Sequence, residues 1–164
     1  MTDAAIASPA AAPTLSRPAI ARWLALLVPA GLLGGALGSQ YLGGLYPCEM
    51  CYWQRWPHGV AIVLAALAFL VSERARTWTL LAAVAIAVSG AIGVYHALVE
   101  LGVLEGLTTC TTSGGSLADI LSTPLVRCDQ IQFAFLGISM AGWNAILSLG
   151  SAIVISWLAW SPRR

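Results

Sequence analysis

The chain has 164 residues, of which 59% are hydrophobic and only 9% are charged, and its mean hydropathy is +0.81. Soluble domains carry roughly 25% charged residues, so this composition excludes a soluble enzyme and indicates an integral membrane protein in contact with the lipid bilayer. Eight arginines and seven acidic residues give a net charge of +1, which leaves no basic surface for nucleic acid. The length suits one unit of about four helices.

The N-terminal segment, residues 1–22, contains three prolines and many alanines without an apolar period, which predicts a disordered tail. Four apolar segments follow, and each approaches the length that a bilayer core requires at about 1.5 Å per helical residue. We therefore predict one membrane domain over residues 23–160. Its spans lie at about 23–45, 56–71, 78–99 and 142–160, and a short tail follows at 161–164.

Arginine placement predicts the orientation of these spans. Because basic loops favour the cytoplasm, the side that carries most arginines is predicted to be cytoplasmic, together with both termini. The loops near 46–55 and 100–141 then face the opposite compartment, where an oxidising environment permits disulfides. Six of the eight arginines lie on the cytoplasmic side: Arg17, Arg22, Arg74, Arg76, Arg163 and Arg164. The four cysteines lie on the other side: Cys48, Cys51, Cys110 and Cys128.

Several other patterns have structural interpretations. Two overlapping GxxxG patterns in the first span predict close helix packing, and polar residues in the spans predict interhelical hydrogen bonds. Short stretches at 116–121 and 131–138 in the second outer loop suit amphipathic helices on the membrane surface. We expect the acidic residues outside the spans to form a solvated surface. The glycines are Gly31, Gly34, Gly35 and Gly38, the polar residues Gln40, Asn144, Ser148 and Ser151, and the acids Glu100, Glu105, Asp119 and Asp129.

The first outer loop carries a CxxC pair, Cys48 and Cys51, at the outer end of the second span. A thiolate near a helix N-terminus is stabilised by the helix dipole and by nearby cations, and Arg55 is the available cation. If the helix begins by Cys51, Arg55 lies one turn away on the same face. Proline favours the first helical turn, so Pro57 leaves open a start near Trp56, in which case Arg55 would reach the thiolate from a turn.

The second outer loop carries Cys110 and Cys128, which are separated by 17 residues and do not form another CxxC. Neither His58 nor His96 stands at a zinc-finger spacing, so we expect no metal site. Four cysteines allow three disulfide connectivities, and static bridges are one interpretation. The alternative is a redox relay, in which a loop disulfide open to a soluble protein exchanges with one at the membrane, within reach of a lipid-soluble acceptor.

Three segments of the sequence resemble the bacterial DsbB family of inner-membrane disulfide bond formation proteins. The run CEMCYWQRWPH at 48–58 is similar to the CxxCxxQRxP signature of that family, and YHALVE at 95–100 is similar to its YHxxxE segment. Cys128, followed by FLG at 135–137 and by Trp143, resembles its second-loop cysteine and the start of its fourth span. The resemblance extends over roughly residues 20–160.

The resemblance implies an all-α, four-helix membrane bundle with two periplasmic loops in the bacterial inner membrane. Such a protein reoxidises DsbA, a soluble thioredoxin-fold dithiol oxidase, and passes the electrons to the membrane pool of ubiquinone or menaquinone. By position, Cys110 resembles the cysteine that forms a mixed disulfide with DsbA. Cys128 would be its partner and would pass electrons to Cys48 through an inter-loop disulfide.

The same resemblance implies roles at the quinone. Cys51 resembles the cysteine whose thiolate donates to the quinone ring, and Arg55 would hold that thiolate by charge. His96 is implied either as a hydrogen-bond donor to the quinone or as an interfacial group.

Two other function classes compete with a quinone-dependent thiol oxidase. In the first, the chain is a non-catalytic membrane subunit, and its disulfides only brace the outer loops. In the second, it is similar to the quinone reductases related to vitamin K epoxide reductase. Motif order argues against the second, because there the quinone-facing CxxC follows the loop cysteines, whereas here it precedes them.

Overall fold

The computed structural model describes residues 16–106 and 126–160. The helices pack as a bundle in which α3 lies along both α2 and α4, and α1 closes the remaining side against α2 and α4. The predicted helical class is confirmed, and the helix count agrees with the predicted four. Within the described residues the elements are α1 (Arg17–Tyr41), α2 (Glu49–Leu70), a 3₁₀ turn (Ser72–Arg74), α3 (Ala75–Glu100), β1 (Ala134–Phe135), β2 (Ile138–Ser139) and α4 (Met140–Trp160).

The first helix begins and ends earlier than the sequence predicts. Helix α1 starts at Arg17, so residues 17–22 of the predicted disordered tail are helical. Pro18 favours this start because its ring holds φ near the helical value in the first turn. The helix stops at Tyr41 because glycines follow, and Gly44 adopts a φ of +68°. Residues 1–15 and 161–164 of the predicted tails lie outside the described residues.

Three of the described helical segments are long and apolar enough to cross a membrane: α1, the segment Ser72–Glu100 that contains α3, and α4. Helix α2 has 22 residues, which is a sufficient length, but its first half carries an acid, an amide, a guanidinium and an imidazole. These polar groups belong to the candidate site described below.

Small side chains fill the interior of the bundle, and large apolar side chains cover its outside. Nine of the twelve residues in the main buried cluster are alanines, joined by Ile86, Ile155 and Leu158. Large residues such as Val63 and Ile153 are 61% and 70% exposed. A water-soluble bundle would bury these side chains, whereas small residues at helix contacts and large residues outside are typical of helices in lipid.

Close packing through glycine occurs on α3, not on α1. A Cβ at Gly90 would lie 2.8 Å from Leu149 Cγ, and a Cβ at Gly93 would lie 3.0 Å from the Ala141 carbonyl oxygen. In contrast, a Cβ at any GxxxG glycine of α1, Gly31, Gly34, Gly35 or Gly38, meets nothing within 4 Å. The prediction that these glycines mediate close packing inside the chain is wrong, because GxxxG spacing identifies a flat helix face but not its neighbour.

The described end of the second outer loop forms a β-hairpin where the sequence predicts an amphipathic helix over 131–138. Strand β1 pairs antiparallel with β2, and the turn residues Leu136 and Gly137 have φ values of 52° and 79°. Such left-handed pairs form the two-residue turns that match strand twist. Trp143 Nε1 donates to the Phe135 carbonyl at 3.0 Å, which attaches the hairpin to α4. The other predicted stretch, 116–121, lies outside the described residues.

Arginines and aromatic rings meet at the end of the bundle where α1 begins and α4 ends. These contacts join different helices, and cation–π contacts of this kind suit an interface between lipid and water. Three such pairs occur among the described residues: Arg17 over Trp157 at 5.0 Å, Arg22 over Phe69 at 5.6 Å and Arg76 over Trp160 at 4.7 Å.

We expect the substitution Gly93→Ala to destabilise the bundle by about 1–3 kcal/mol, because the added methyl group overpacks the contact between α3 and α4. Thermal unfolding in detergent measures the effect. Gly34→Ala is the matched control, since its methyl group meets nothing within 4 Å and alanine favours the helix. Equal melting temperatures for the two variants would contradict the described α3–α4 contact.

Candidate active site

The CxxC pair forms the beginning of helix α2. Cys48 is the N-cap, and its Sγ accepts a hydrogen bond from the Cys51 backbone N–H at 3.3 Å. The two sulfur atoms lie 2.9 Å apart. Of the two helix starts that the sequence leaves open, the structure has the earlier one, and Pro57 lies inside the helix. Cys51 is therefore in the first turn, where the helix dipole favours negative charge.

Arg55 follows Cys51 by one turn, and its guanidinium connects α2 to α1. It donates to Gln40 Oε1 and, at 3.1 Å, to the Ala36 carbonyl oxygen. The predicted interhelical hydrogen bond of Gln40 is thereby confirmed. The guanidinium also lies 5.2 Å from the centre of the Tyr52 ring. These contacts hold a positive charge near the CxxC pair at the boundary between α1 and α2.

The structure brings Cys128 and His96 to the CxxC pair. Cys48, His96 and Cys128 are 1%, 3% and 6% exposed, and their ligand atoms all lie within 4.8 Å of one another. Two thiols and an imidazole are donors that a soft metal such as zinc accepts. The same proximity of sulfur atoms is what thiol–disulfide exchange requires. Spacing along the chain did not predict this cluster, because its members come from three separate segments.

The surroundings of Cys48 oppose its ionisation. Its hydrogen bonds with the Cys128 and Cys51 thiols, followed by its burial, raise the pKa of Cys48 above the ordinary value of a thiol. This sulfur is therefore suited to remain protonated or bonded to another sulfur. On the exposed side of the loop, the Arg127 guanidinium donates to Asp129 and lowers the pKa of that carboxyl.

Glu100 is buried, which corrects the prediction that it belongs to a solvated surface. Its side chain is 7% exposed, Oε1 lies 3.8 Å from His96 Nε2, and Oε2 is buried with no hydrogen-bond partner among the described residues. Ser139 and Cys128, from later parts of the chain, lie beside the carboxyl group. The spacing of His96 and Glu100, one helical turn apart, was the available sequence signal.

A polar network lies in the bundle directly below the sulfur cluster, and the sequence predicts only part of it. Asn144 of α4 donates to Gln54 Oε1 of α2 at 2.8 Å and accepts from His58 at 2.9 Å, as predicted for an interhelical group. The Gln54 side-chain nitrogen Nε2 lies 2.8 Å from His96 Nδ1, and the Ser89 hydroxyl of α3 donates to the backbone carbonyl of Gln54 at 2.8 Å. The sequence does not predict the places of Gln54, His58 and Ser89 in this network, although Gln54 and His58 belong to the run at 48–58 that carries the family resemblance.

A cavity of about 320 Å³ opens between α1 and these groups. Cys51, Arg55 and His96 contribute to its polar side, and leucines of α1 and phenylalanines of the hairpin region contribute to its apolar side. Gly31 and Gly35 of α1 also line it, where a Cβ would meet nothing within 4 Å. The sulfur cluster thus borders a largely apolar space.

The structure therefore places five of the six predicted site residues together: Cys48, Cys51, Arg55, His96 and Cys128. The sixth, Cys110, lies outside the described residues.

Comparison with known proteins identifies one matching family. The family model described as "Disulfide bond formation protein DsbB" matches residues 18–158. The chain is 30% identical over 140 residues to disulfide bond formation protein B of Marinobacter nauticus, and the alignment covers 76% of this chain and 83% of the relative. It is 27% identical over 143 residues to the protein of the same name from Xanthomonas oryzae pv. oryzae, covering 79% and 83%. No solved structure matches.

The proximity of Cys48 to Cys128 leads to a prediction about disulfide formation. In the double variant Cys51→Ser/Cys110→Ser, we expect mild oxidation to produce an intramolecular Cys48–Cys128 disulfide, because the two sulfur atoms lie within 4.8 Å. Peptide mapping under non-reducing conditions detects the bridge. The triple variant that also carries Cys48→Ser lacks one partner of this bridge and is the control. Recovery of only intermolecular dimers from the double variant would contradict the described position of Cys128.

Proposed function

Because the chain belongs to the DsbB family of disulfide bond formation proteins, we propose that it reoxidises a DsbA-like dithiol oxidase in the periplasm and passes the electrons to a membrane quinone. The observation that carries this proposal is the position of Cys48, Cys51, Arg55 and His96 at the border of one cavity, with Cys128 beside Cys48. A bridge that only braced loops would need neither the cation nor the cavity.

The cavity suits a quinone in size and in chemistry. Ligand cavities commonly measure about 300–1,000 Å³, and quinone carbonyl oxygens accept hydrogen bonds. Arg55 offers N–H groups on the polar side, and the open space beside Gly31 and Gly35 leaves room for a flat apolar molecule. When bound, a quinone would supply an acceptor for two electrons and two protons. Arg55 and the glycine face of α1 would hold it beside Cys51.

The geometry of the sulfur atoms supports an exchange between the two cysteine pairs. In this step the Cys128 thiolate attacks Cys48 in the Cys48–Cys51 disulfide. A Cys48–Cys128 bond forms, the Cys48–Cys51 bond breaks, and its electron pair remains on Cys51 as a thiolate. The first helical turn and Arg55 both favour negative charge on Cys51. Cys48 is suited to be the central sulfur because it contacts both of the others.

The remaining steps involve the DsbA-like partner. Cys110 is the residue that we propose to form the mixed disulfide with it, since its Thr-, Ser- and Gly-rich segment offers access to a soluble protein. Cys128 would then be released to attack the CxxC pair. Each exchange conserves electrons, because every new sulfur–sulfur bond replaces a broken one and leaves one thiolate.

We further propose that the site faces the periplasm. The arginine–aromatic contacts lie at the end of the bundle where α1 begins, and the cysteines lie at the other end. Basic residues favour the cytoplasmic side, which would direct Cys48, Cys51 and Cys128 outwards. Helix α2 would complete a four-helix membrane domain, and its polar first half would lie at the periplasmic interface.

Turnover in a defined mixture tests this function. Purified protein in detergent should oxidise a reduced DsbA-like dithiol protein and reduce an added quinone in equal amounts, as followed by thiol labelling and quinone absorbance. Cys51→Ser should abolish the loss of quinone absorbance, because it removes the thiolate that we propose to donate to the quinone. A folded wild-type sample that reduces neither ubiquinone nor menaquinone would instead favour structural disulfides.

A second prediction concerns the charge beside Cys51. We expect Arg55→Gln to lower kcat/KM for the quinone about 10- to 100-fold, since a hydrogen bond to a charged group contributes about 1.5–3 kcal/mol. Steady-state kinetics at several quinone concentrations measures the change. Arg76→Gln, at the opposite end of the bundle, is the matched control and should retain the wild-type value. Equal kinetics for both variants would remove Arg55 from the proposed site.

A further inference from the structure

The backbone around Gln54 determines how its side-chain amide is oriented. Its Nε2 lies 3.1 Å from the Met50 carbonyl oxygen, and because a carbonyl only accepts hydrogen bonds, this atom must be the NH₂ group. Gln54 Oε1 accepts from Asn144 Nδ2 at 2.8 Å. The Ser89 carbonyl oxygen, 3.2 Å from the same Asn144 nitrogen, identifies that atom as a donor by the same reasoning. Both amide orientations therefore follow from backbone carbonyl groups.

The orientation of Gln54 in turn determines which nitrogen of His96 carries the proton. Gln54 Nε2 lies 2.8 Å from His96 Nδ1, and the amide nitrogen can only donate, so Nδ1 must accept. A neutral imidazole has one accepting and one donating nitrogen, so the proton of His96 is on Nε2. A second proton on Nδ1 would point at the hydrogens of the Gln54 amide, and the contact therefore opposes the imidazolium form.

The protonated nitrogen of His96 faces the sulfur cluster. Nε2 lies 3.6 Å from Cys48 Sγ and 3.8 Å from Glu100 Oε1, and the ring also has a hydrogen bond with the Cys128 backbone. The titratable groups around the ring are Cys48 before α2, Glu100 on α3 and Cys128 from the second outer loop. His96 is 3% exposed, so water competes little for this N–H.

We propose that Gln54 is a positioning residue, which holds His96 as a neutral imidazole whose Nε2–H donates to the Cys48 sulfur. In this state His96 favours negative charge on Cys48 and does not remove protons from thiols. The neighbouring thiols and burial raise the pKa of Cys48 and so oppose that charge. A donor aimed at Sγ offsets part of this opposition.

The consequence for catalysis rests on the proposed function. To restore the loop disulfide, the Cys110 thiolate attacks Cys128 in the Cys48–Cys128 disulfide. A Cys110–Cys128 bond forms, the Cys48–Cys128 bond breaks, and its electron pair goes to Cys48 Sγ. The Nε2–H of His96 would stabilise this leaving thiolate.

Nitrogen NMR of histidine-labelled protein in detergent tests the inference directly. The chain has two histidines, so the His58→Asn variant assigns the signal of His96. In the wild type we expect a proton on Nε2 and none on Nδ1, without change between about pH 5 and 8, where an ordinary histidine titrates. In Gln54→Glu the carboxylate accepts from the ring, so a proton should appear on Nδ1. Ser72→Glu, which adds the same charge at an exposed position of the 3₁₀ turn between α2 and α3, should leave the signal of His96 unchanged.

Several outcomes would overturn this inference. A wild-type signal with the proton on Nδ1, or an imidazolium signal that develops as the pH falls through that range, contradicts it even if Gln54→Glu does not fold. A folded Gln54→Glu variant with an unchanged His96 signal contradicts the role of Gln54. The NMR experiment does not require quinone or a DsbA-like protein. If the NMR signal of His96 is as expected but the protein does not turn over quinone, the result would therefore contradict the proposed function alone.

Discussion

The polar network below the cysteines is the constraint on which the arrangement of the helices depends. Asn144 of α4 contacts Gln54 and His58 of α2 and Ser89 of α3, so one side chain joins three helices. Each interhelical hydrogen bond contributes only roughly 0.6 kcal/mol in a membrane protein. An unsatisfied polar group in hydrocarbon costs far more, and a rotation of any of these helices would expose several at once. The network therefore specifies the register of the bundle more than it adds to stability.

This register determines the geometry of the sulfur site. Gln54 lies one turn beyond Met50 in α2. The hydrogen bond from its amide to His96 therefore fixes the position of α2 along the axis of α3. In that axial position the N-cap residue Cys48 lies beside His96 and close to Cys128. Small interior side chains allow the helices to come close enough for these contacts. Packing, hydrogen bonding and thiol chemistry are therefore linked through α2.

Local patterns in the sequence were sufficient for much of the fold and part of the site. Hydropathy identified the four helices, and the spacing of Cys48, Cys51 and Arg55 placed these groups at one helix end. The contact between Cys48 and Cys128 could not be derived from spacing, because it depends on where a loop folds back. Burial of Glu100 was missed for the same reason, since the groups beside its carboxyl, Ser139 and Cys128, come from later parts of the chain.

The glycines of α1 show a different limit of sequence patterns. GxxxG describes a smooth helix face, and the same face can contact another helix or leave open space. Here Gly31 and Gly35 border the cavity and are exposed. On the side of α1, no side chain at these two positions separates the cavity from the outside of the bundle. The network closes the cavity from below with polar groups, whereas Leu32, Leu33 and the glycines give the α1 side a mainly apolar lining. An apolar molecule dissolved in the membrane could reach Cys51 from this side, while Cys128 approaches the CxxC pair from the loop. The two sides of one helix end would thus serve two reaction partners that never need to meet.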